Sequence, residues 1–85
     1  MEEKKVGIVI KYFSKPEVAA IHLTEGELKV GDRIRIKGHT TDFEQTVESM
    51  QISNSFVEVA ETGSDVGIKS QERVREHDEV FCITG

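Results

Sequence analysis

Three cations alternate with two isoleucines in residues 33–37, and Lys29 lies just upstream. If a β-strand buried the isoleucines, the cations would project together from its opposite face. Arginine presents a planar fork of donors that suits phosphate oxygens. The pattern therefore predicts a candidate RNA-binding site of Lys29, Arg33, Arg35 and Lys37. A solvated strand face that only favours solubility is the more common explanation of such a pattern.

RNA binding at this strand would need further support from the surrounding surface. The formal net charge of −5 opposes a general attraction to nucleic acid phosphates, so a local basic patch is required. Tyr12, Phe13 and Phe56 could stack on bases, but aromatic side chains in short strands more often fill the core. We therefore expect any RNA contact to be weak and salt-sensitive.

Metal or nucleophilic chemistry could use only His22, His39, His77 and Cys82. No pair of them has the spacing of zinc ligands. Cys82 lies within an apolar alternation, which favours a buried and inert thiol. The sequence therefore predicts no catalytic residue, no metal site and no cofactor.

Acid–base and nucleotide chemistry also lack good candidates. The carboxylate pairs Glu44 with Glu48 and Glu58 with Glu61 have the character of solvated surface charges, because no apolar pocket is evident around either pair. The phosphate-binding pattern G-x-x-x-x-G-K-[ST] and the guanine-reading string N-K-x-D are absent from the sequence. We therefore expect a binding module that is not an enzyme and holds no nucleotide.

Short strands must position these residues. Apolar and polar residues alternate, and Gly, Asn, Asp or Ser interrupts them at intervals of about 8–12 residues. This predicts an all-β fold, a small closed Greek-key-like barrel of about six or seven mostly antiparallel strands, in one domain over residues 1–85. In a longer strand from Phe43 to Ile52, Val47 and Met50 can both face inward only if the chain bends near Ser49. The predicted core comprises Ile8, Ile10, Ile21, Ile34, Ile36, Val47 and Val80.

The composition favours a folded domain, with 36% hydrophobic and 32% charged residues. No apolar run approaches the roughly 20 residues that span a bilayer, and the charged start of the chain lacks a signal-peptide pattern. Cys82 is the only cysteine, so no internal disulfide can form. We therefore expect a cytoplasmic protein without a membrane partner.

Two segments carry a resemblance to a known family. Residues 26–32 read G-x-L-x-x-G-D before a strand, and residues 47–51 read V-x-S-M-Q. In order and spacing they resemble the β-barrel that follows the GTPase domain in elongation factor Tu and related translation factors. Gly7, Gly63 and residues 66–68 extend the similarity. The resemblance implies a stand-alone translation-factor barrel that contacts RNA or a ribosome-associated protein.

The bare barrel also resembles the C-terminal domain of some collagenase-like peptidases, where it carries no catalytic residue. Two functions therefore stay open. The first is non-catalytic binding of RNA or a translation-related protein, and the second is an accessory or substrate-presenting role for a separately encoded enzyme such as a collagenase-like peptidase. One position departs from the translation-factor pattern, because His77 stands before Asp78 where glycine is common. A positive φ there would carry a conformational cost.

Overall fold

The computed structural model describes residues 2–84, which form ten β-strands and no helix. The strands are β1 (Glu2–Phe13), β2 (Val18–Leu23), β3 (Leu28–Lys29), β4 (Arg33–Lys37), β5 (Asp42–Thr46), β6 (Met50–Ile52), β7 (Ser55–Val57), β8 (Val59–Ala60), β9 (Asp65–Lys69) and β10 (Glu79–Thr84). Eight of them form one sheet in the order β5-β4-β10-β1-β2-β9-β6-β7, and β3 pairs separately with β8. All these pairings are antiparallel, so the predicted all-β class is confirmed.

The predicted closure into a barrel is not confirmed. Within residues 2–84 the sheet ends at β5 on one side and at β7 on the other, and no backbone ladder joins these strands. The expected strand from Phe43 to Ile52 is divided into β5 and β6 by residues 47–49. This break allows Val47 and Met50 to be buried together, as the predicted bend requires.

Alternation along β2 and β4 builds most of the core as predicted. Ile21 on β2 and both isoleucines of β4, Ile34 and Ile36, are fully buried, and so is Val80 on β10. Because successive side chains of a strand point to opposite faces, burying the β4 isoleucines turns the three β4 cations outward. The core therefore fixes the direction of the predicted basic residues.

The prediction that Ile8 and Ile10 lie inside is wrong. Ile10 is 40% exposed and Ile8 is only partly buried, whereas Val6 and Val9 are buried. The cause lies in the register of β1, which shifts at Val6 against β10 and between Val9 and Lys11 against β2. An irregularity of this kind exchanges the inward and outward faces of the strand.

The turn before β10 has a positive φ at His77, the position where the sequence pattern raised that question. His77 has φ of 75°. Its N–H donates to the carbonyl of Val9 at 2.8 Å, and the N–H of Val9 donates to the carbonyl of Asp78 at 2.8 Å. A Cβ atom at Gly38 would overlap the carboxylate of Asp78, so glycine is required for the close approach of the loop after β4. The two hydrogen bonds thus hold the turn against β1, and Gly38 allows the loop after β4 to lie beside Asp78.

Candidate functional site

Arg35, at the centre of the predicted basic strand, is already held by carboxylates. Its Nε donates to Oδ1 of Asp42 at 2.7 Å, its Nη2 donates to Oδ2 at 2.8 Å, and its Nη1 donates to Oε2 of Glu3 at 2.8 Å. The hydrogen bond with Asp42 is the main reason why the pKa of Arg35 is raised and the pKa of Asp42 is lowered. The donor fork of Arg35 is thus committed to carboxylates rather than presented to a phosphate.

Two of the other predicted cations also lie near carboxylates. Arg33 Nε lies 3.6 Å from Oε1 of Glu44, and Lys29 Nζ lies 3.5 Å from Oε1 of Glu27. Lys37 forms none of the ion pairs found within residues 2–84. Exposed pairs contribute little to stability, but the alternating charges interrupt the positive field that attracts nucleic acid. RNA binding at the four predicted residues stays a prediction.

A groove at the end of β4 brings two of the histidines together. His39 follows β4 and His77 precedes β10, and both line a depression of about 550 Å³. Lys5 and Glu79 also line this groove, and Nζ of Lys5 lies 3.0 Å from Oε2 of Glu79, so their charges compensate each other. The full lining comprises Lys5, Ile8, Lys37, Gly38, His39, His77, Glu79 and Phe81. The lining combines charged and imidazole side chains with the apolar side chains of Ile8 and Phe81, and among residues 2–84 no Ser, Thr or Cys belongs to it.

Cys82 and His22, the remaining candidates for chemistry, do not line that groove. Cys82 is partly buried on β10 and packs against the core. Burial raises the pKa of its thiol, and the nearby carboxylate of Asp32 raises it further. A thiol held protonated in this way is a poor nucleophile. Nδ1 of His22 lies 2.5 Å from Oδ1 of Asp65, in an exposed pair.

The described residues contain neither a cluster of metal ligands nor a helix that could cross a membrane. Within residues 2–84, no three His, Cys, Asp or Glu side chains lie close enough together to hold a metal ion. Nor does that range contain a helix with the length and apolar character that crossing a membrane would need. The expectations of no cofactor and of a cytoplasmic location stay predictions.

The most unusual surface surrounds Phe56, which is 74% exposed on β7. Phe56 lines two grooves, of about 330 and about 390 Å³. The larger groove is lined by Val30, Glu48, Ser49, Met50, Phe56, Val57 and Glu58, which we call the Phe56 surface. Val30 is itself 41% exposed. Exposed apolar residues that adjoin one another in this way often mark a site of interaction.

The chain is similar in sequence to part of a protease and to part of a collagenase. No family model matches the chain. It is 42% identical over 80 residues to an uncharacterized protease of Methanocaldococcus jannaschii and 40% identical over 77 residues to a collagenase of Porphyromonas gingivalis. These alignments cover 93% and 89% of this chain, but 19% and 21% of the two relatives. The chain thus spans about a fifth of the length of the curated relatives that it matches.

Two solved structures share the fold of this chain. One is the C-terminal domain of a Geobacillus thermoleovorans protein described as a U32 peptidase, with a TM-score of 0.88 and 15% identity. The match covers 95% of this chain and 93% of that domain. The selenomethionine variant of the same domain gives a TM-score of 0.85. At this level of identity the likeness establishes the fold alone.

The predicted resemblance to a translation-factor barrel is wrong, because the relatives and the solved structures are peptidase-related. The physical reason is that the motifs of residues 26–32 and 47–51 determine backbone conformation and core packing, not a binding site. Gly31 has φ of 98°, and Oδ2 of Asp32 accepts a hydrogen bond of 2.9 Å from the N–H of Lys29. Val47 and Met50 fill the core. Residues with these roles specify a turn and a strand break, and any protein that shares the fold can carry them.

Proposed function

We propose that this chain acts as an accessory, non-catalytic binding domain of a peptidase-like protein. The observation that carries the proposal is its 42% identity, over 93% of its length, to about a fifth of a protease. The chemistry of the domain supports a binding role. Its cysteine thiol is held protonated, and the two histidines that share a groove have no hydroxyl or thiol in that groove to activate.

The partner in this proposal is the catalytic part of such a protein, whether that part belongs to the same polypeptide or to another one. We also infer that the fold is a barrel-type module. In this barrel, the side chain of Gln45, rather than a backbone ladder, connects β5 with the end of β9. The buried amide of Gln45 supports this description, because it hydrogen-bonds to the backbone at the end of β9.

A binding and activity experiment tests the proposed function. The chain would be mixed with the P. gingivalis collagenase from which the matching fifth has been deleted, and complex formation would be followed by calorimetry. We expect a complex of defined stoichiometry and no hydrolysis of casein or gelatin by the chain alone. The Ile34→Asp variant, which should not fold, is the control for non-specific association.

Two results would contradict the proposal. Hydrolysis that copurifies with the folded chain and is lost in the Ile34→Asp variant would make the domain an enzyme. Failure of the folded chain to bind the truncated collagenase would remove the accessory role.

A further inference from the structure

We propose that the Phe56 surface is a docking edge for a short extended segment of a partner polypeptide that carries lysine or arginine beside an apolar side chain. The inference rests on the proposed function for the identity of that polypeptide, which would be the remainder of a peptidase-like protein.

The backbone of β7 presents unused hydrogen-bonding groups at Phe56. Ser53 and Asn54 form the turn between β6 and β7, with φ of 51° and 66°. Two positive φ values in a two-residue loop define a type I′ hairpin, in which the residues flanking the loop exchange hydrogen bonds. The next pair along the ladder, Gln51 and Phe56, is therefore non-hydrogen-bonded. The N–H and C=O of Phe56 consequently point away from β6, toward the open edge of the sheet.

Part of this edge is already covered by the chain that follows β3. The N–H of Val30 donates to the carbonyl of Glu58 at 2.9 Å. At the next residue the chain turns away, because Gly31 has φ of 98° and its N–H donates instead to the carbonyl of Val47. Within residues 2–84, the edge is thus paired at Glu58 and unpaired at Phe56. An added segment would continue the pairing by two main-chain hydrogen bonds, as in other cases of strand addition.

Apolar side chains form part of the groove beside this edge. Met50 lines it and is fully buried, while Val30 and Phe56 line it and are exposed. An apolar side chain of about the size of valine or leucine, entering this groove, would cover the ring of Phe56. Removing the ring from water would provide the main favourable free energy of docking, since the available main-chain hydrogen bonds are few.

The charges of the groove select a basic partner. Glu48 and Glu58 line it, and neither forms any of the ion pairs found within residues 2–84. Among the residues that the structure describes, no Lys, Arg or His is part of the lining. With a formal net charge of −5 on the chain, a phosphate-rich partner would be repelled, whereas a lysine or arginine side chain would be attracted.

The test uses a capped heptapeptide of alternating lysine and valine, titrated into the ¹⁵N-labelled protein to about 2 mM at low salt. We expect progressive shifts of the amide signals of Phe56 and Glu58. The same peptide with glutamate in place of lysine should cause no such shifts. Phe56→Ser should weaken binding of the lysine peptide about tenfold. Its melting temperature should stay near that of the parent, because the ring is exposed.

Matched variants separate the site from general surface effects. Phe13→Ser removes the other exposed phenylalanine, 42% exposed, and should bind the peptide like the parent. Replacing Glu48 and Glu58 together with Gln should weaken binding and flatten its salt dependence. Replacing the exposed Glu25 and Glu61 with Gln should do neither.

The inference is overturned if the lysine peptide leaves the Phe56 signal unshifted, or if the Phe56→Ser variant binds it as well as the parent. Because this titration does not involve the truncated collagenase, its result is independent of the test of the proposed function. A complex with the truncated collagenase that is insensitive to Phe56→Ser would keep the accessory role and move the docking surface elsewhere.

Discussion

The side-chain amide of Gln45 donates a hydrogen bond of 2.7 Å from Nε2 to the backbone carbonyl of Lys69. Its Oε1 accepts a second hydrogen bond, of 2.8 Å, from the N–H of Gln71. Gln45 is 2% exposed and lies on β5, an outer strand of the sheet, whereas Lys69 ends β9. One buried side chain therefore connects two strands that no backbone ladder joins.

Replacing Gln45 with Leu should lower the free energy of unfolding by about 2–3 kcal/mol. Leucine approximates the size of the glutamine side chain but leaves the carbonyl of Lys69 and the N–H of Gln71 without their partner. Urea denaturation would measure the change. The control is Gln51→Leu, at an exposed position, which should alter stability by no more than about 0.5 kcal/mol. Equal stability of the two variants would show that the Gln45 bridge does not hold the strands together.

The two irregularities of β1 predict opposite outcomes for neighbouring residues. Val9→Asp places a carboxylate in the core without a cation and should prevent folding. Ile10→Asp places the same group on a side chain that is 40% exposed and should leave the protein folded. Circular dichroism and thermal melting would distinguish the two variants. A folded Val9→Asp variant, or an unfolded Ile10→Asp variant, would contradict the register shifts and support the regular strand predicted from the sequence.

Local alternation predicted the inward faces of β2 and β4, because neither strand carries an extra residue; the shift between β1 and β2 lies in β1. It failed in β1, where the identity of the inward residues depends on how two other strands align with it. The sequence of β1 reads Val6, Ile8 and Ile10 with period two, and nothing local indicates that Val9 replaces Ile10 in the core. The register of β1 is set by its pairing with β2 and β10, so it can be read only from the assembled sheet.

The candidate site, like the fold, could be predicted from local alternation only in part. Alternation correctly turned the cations of β4 outward, but their pairing with carboxylates depends on which strand lies alongside. In the β4–β5 register Arg35 lies opposite Glu44, yet it pairs diagonally with Asp42, and Arg33 likewise pairs with Glu44. Glu3, the other partner of Arg35, comes from β1. The exposure of Phe56 could have been suspected from the turn residues Ser53 and Asn54, which fix the register of the hairpin. The 74% exposure of the Phe56 ring, however, depends on which other segments pack near β7, and local sequence does not reveal this.

Cys82 should react slowly with a thiol reagent in the native state and quickly after denaturation. Burial and the carboxylate of Asp32 raise the pKa of its thiol, so the folded protein disfavours the reactive thiolate. Both states are protonated near neutral pH. As pH rises through the unfolded value of about 8.5, the unfolded state loses its proton first and stability falls.

The Asp32→Asn variant provides the test of this cause. Asparagine keeps an oxygen that can accept the hydrogen bond from Lys29 but removes the negative charge, so labelling of native Cys82 should become faster. Asp65→Asn, a charge change on β9, should leave the labelling rate unchanged. If Asp32→Asn labels no faster than the parent, burial alone controls the thiol.

His77 should tolerate glycine but not valine. Its φ of 75° costs an ordinary residue about 1–2 kcal/mol, and glycine relieves that cost while increasing the entropy of the unfolded chain. His77→Gly should therefore leave the free energy of unfolding nearly unchanged. A β-branched side chain disfavours the same backbone conformation more strongly, so His77→Val should lower stability by at least about 1 kcal/mol relative to His77→Gly. At His39, which is not among the residues with positive φ, the same pair of substitutions should not favour glycine. Denaturant midpoints at constant m would measure all four variants. Equal stability of His77→Val and His77→Gly would mean that the turn before β10 relaxes to a conformation open to any residue.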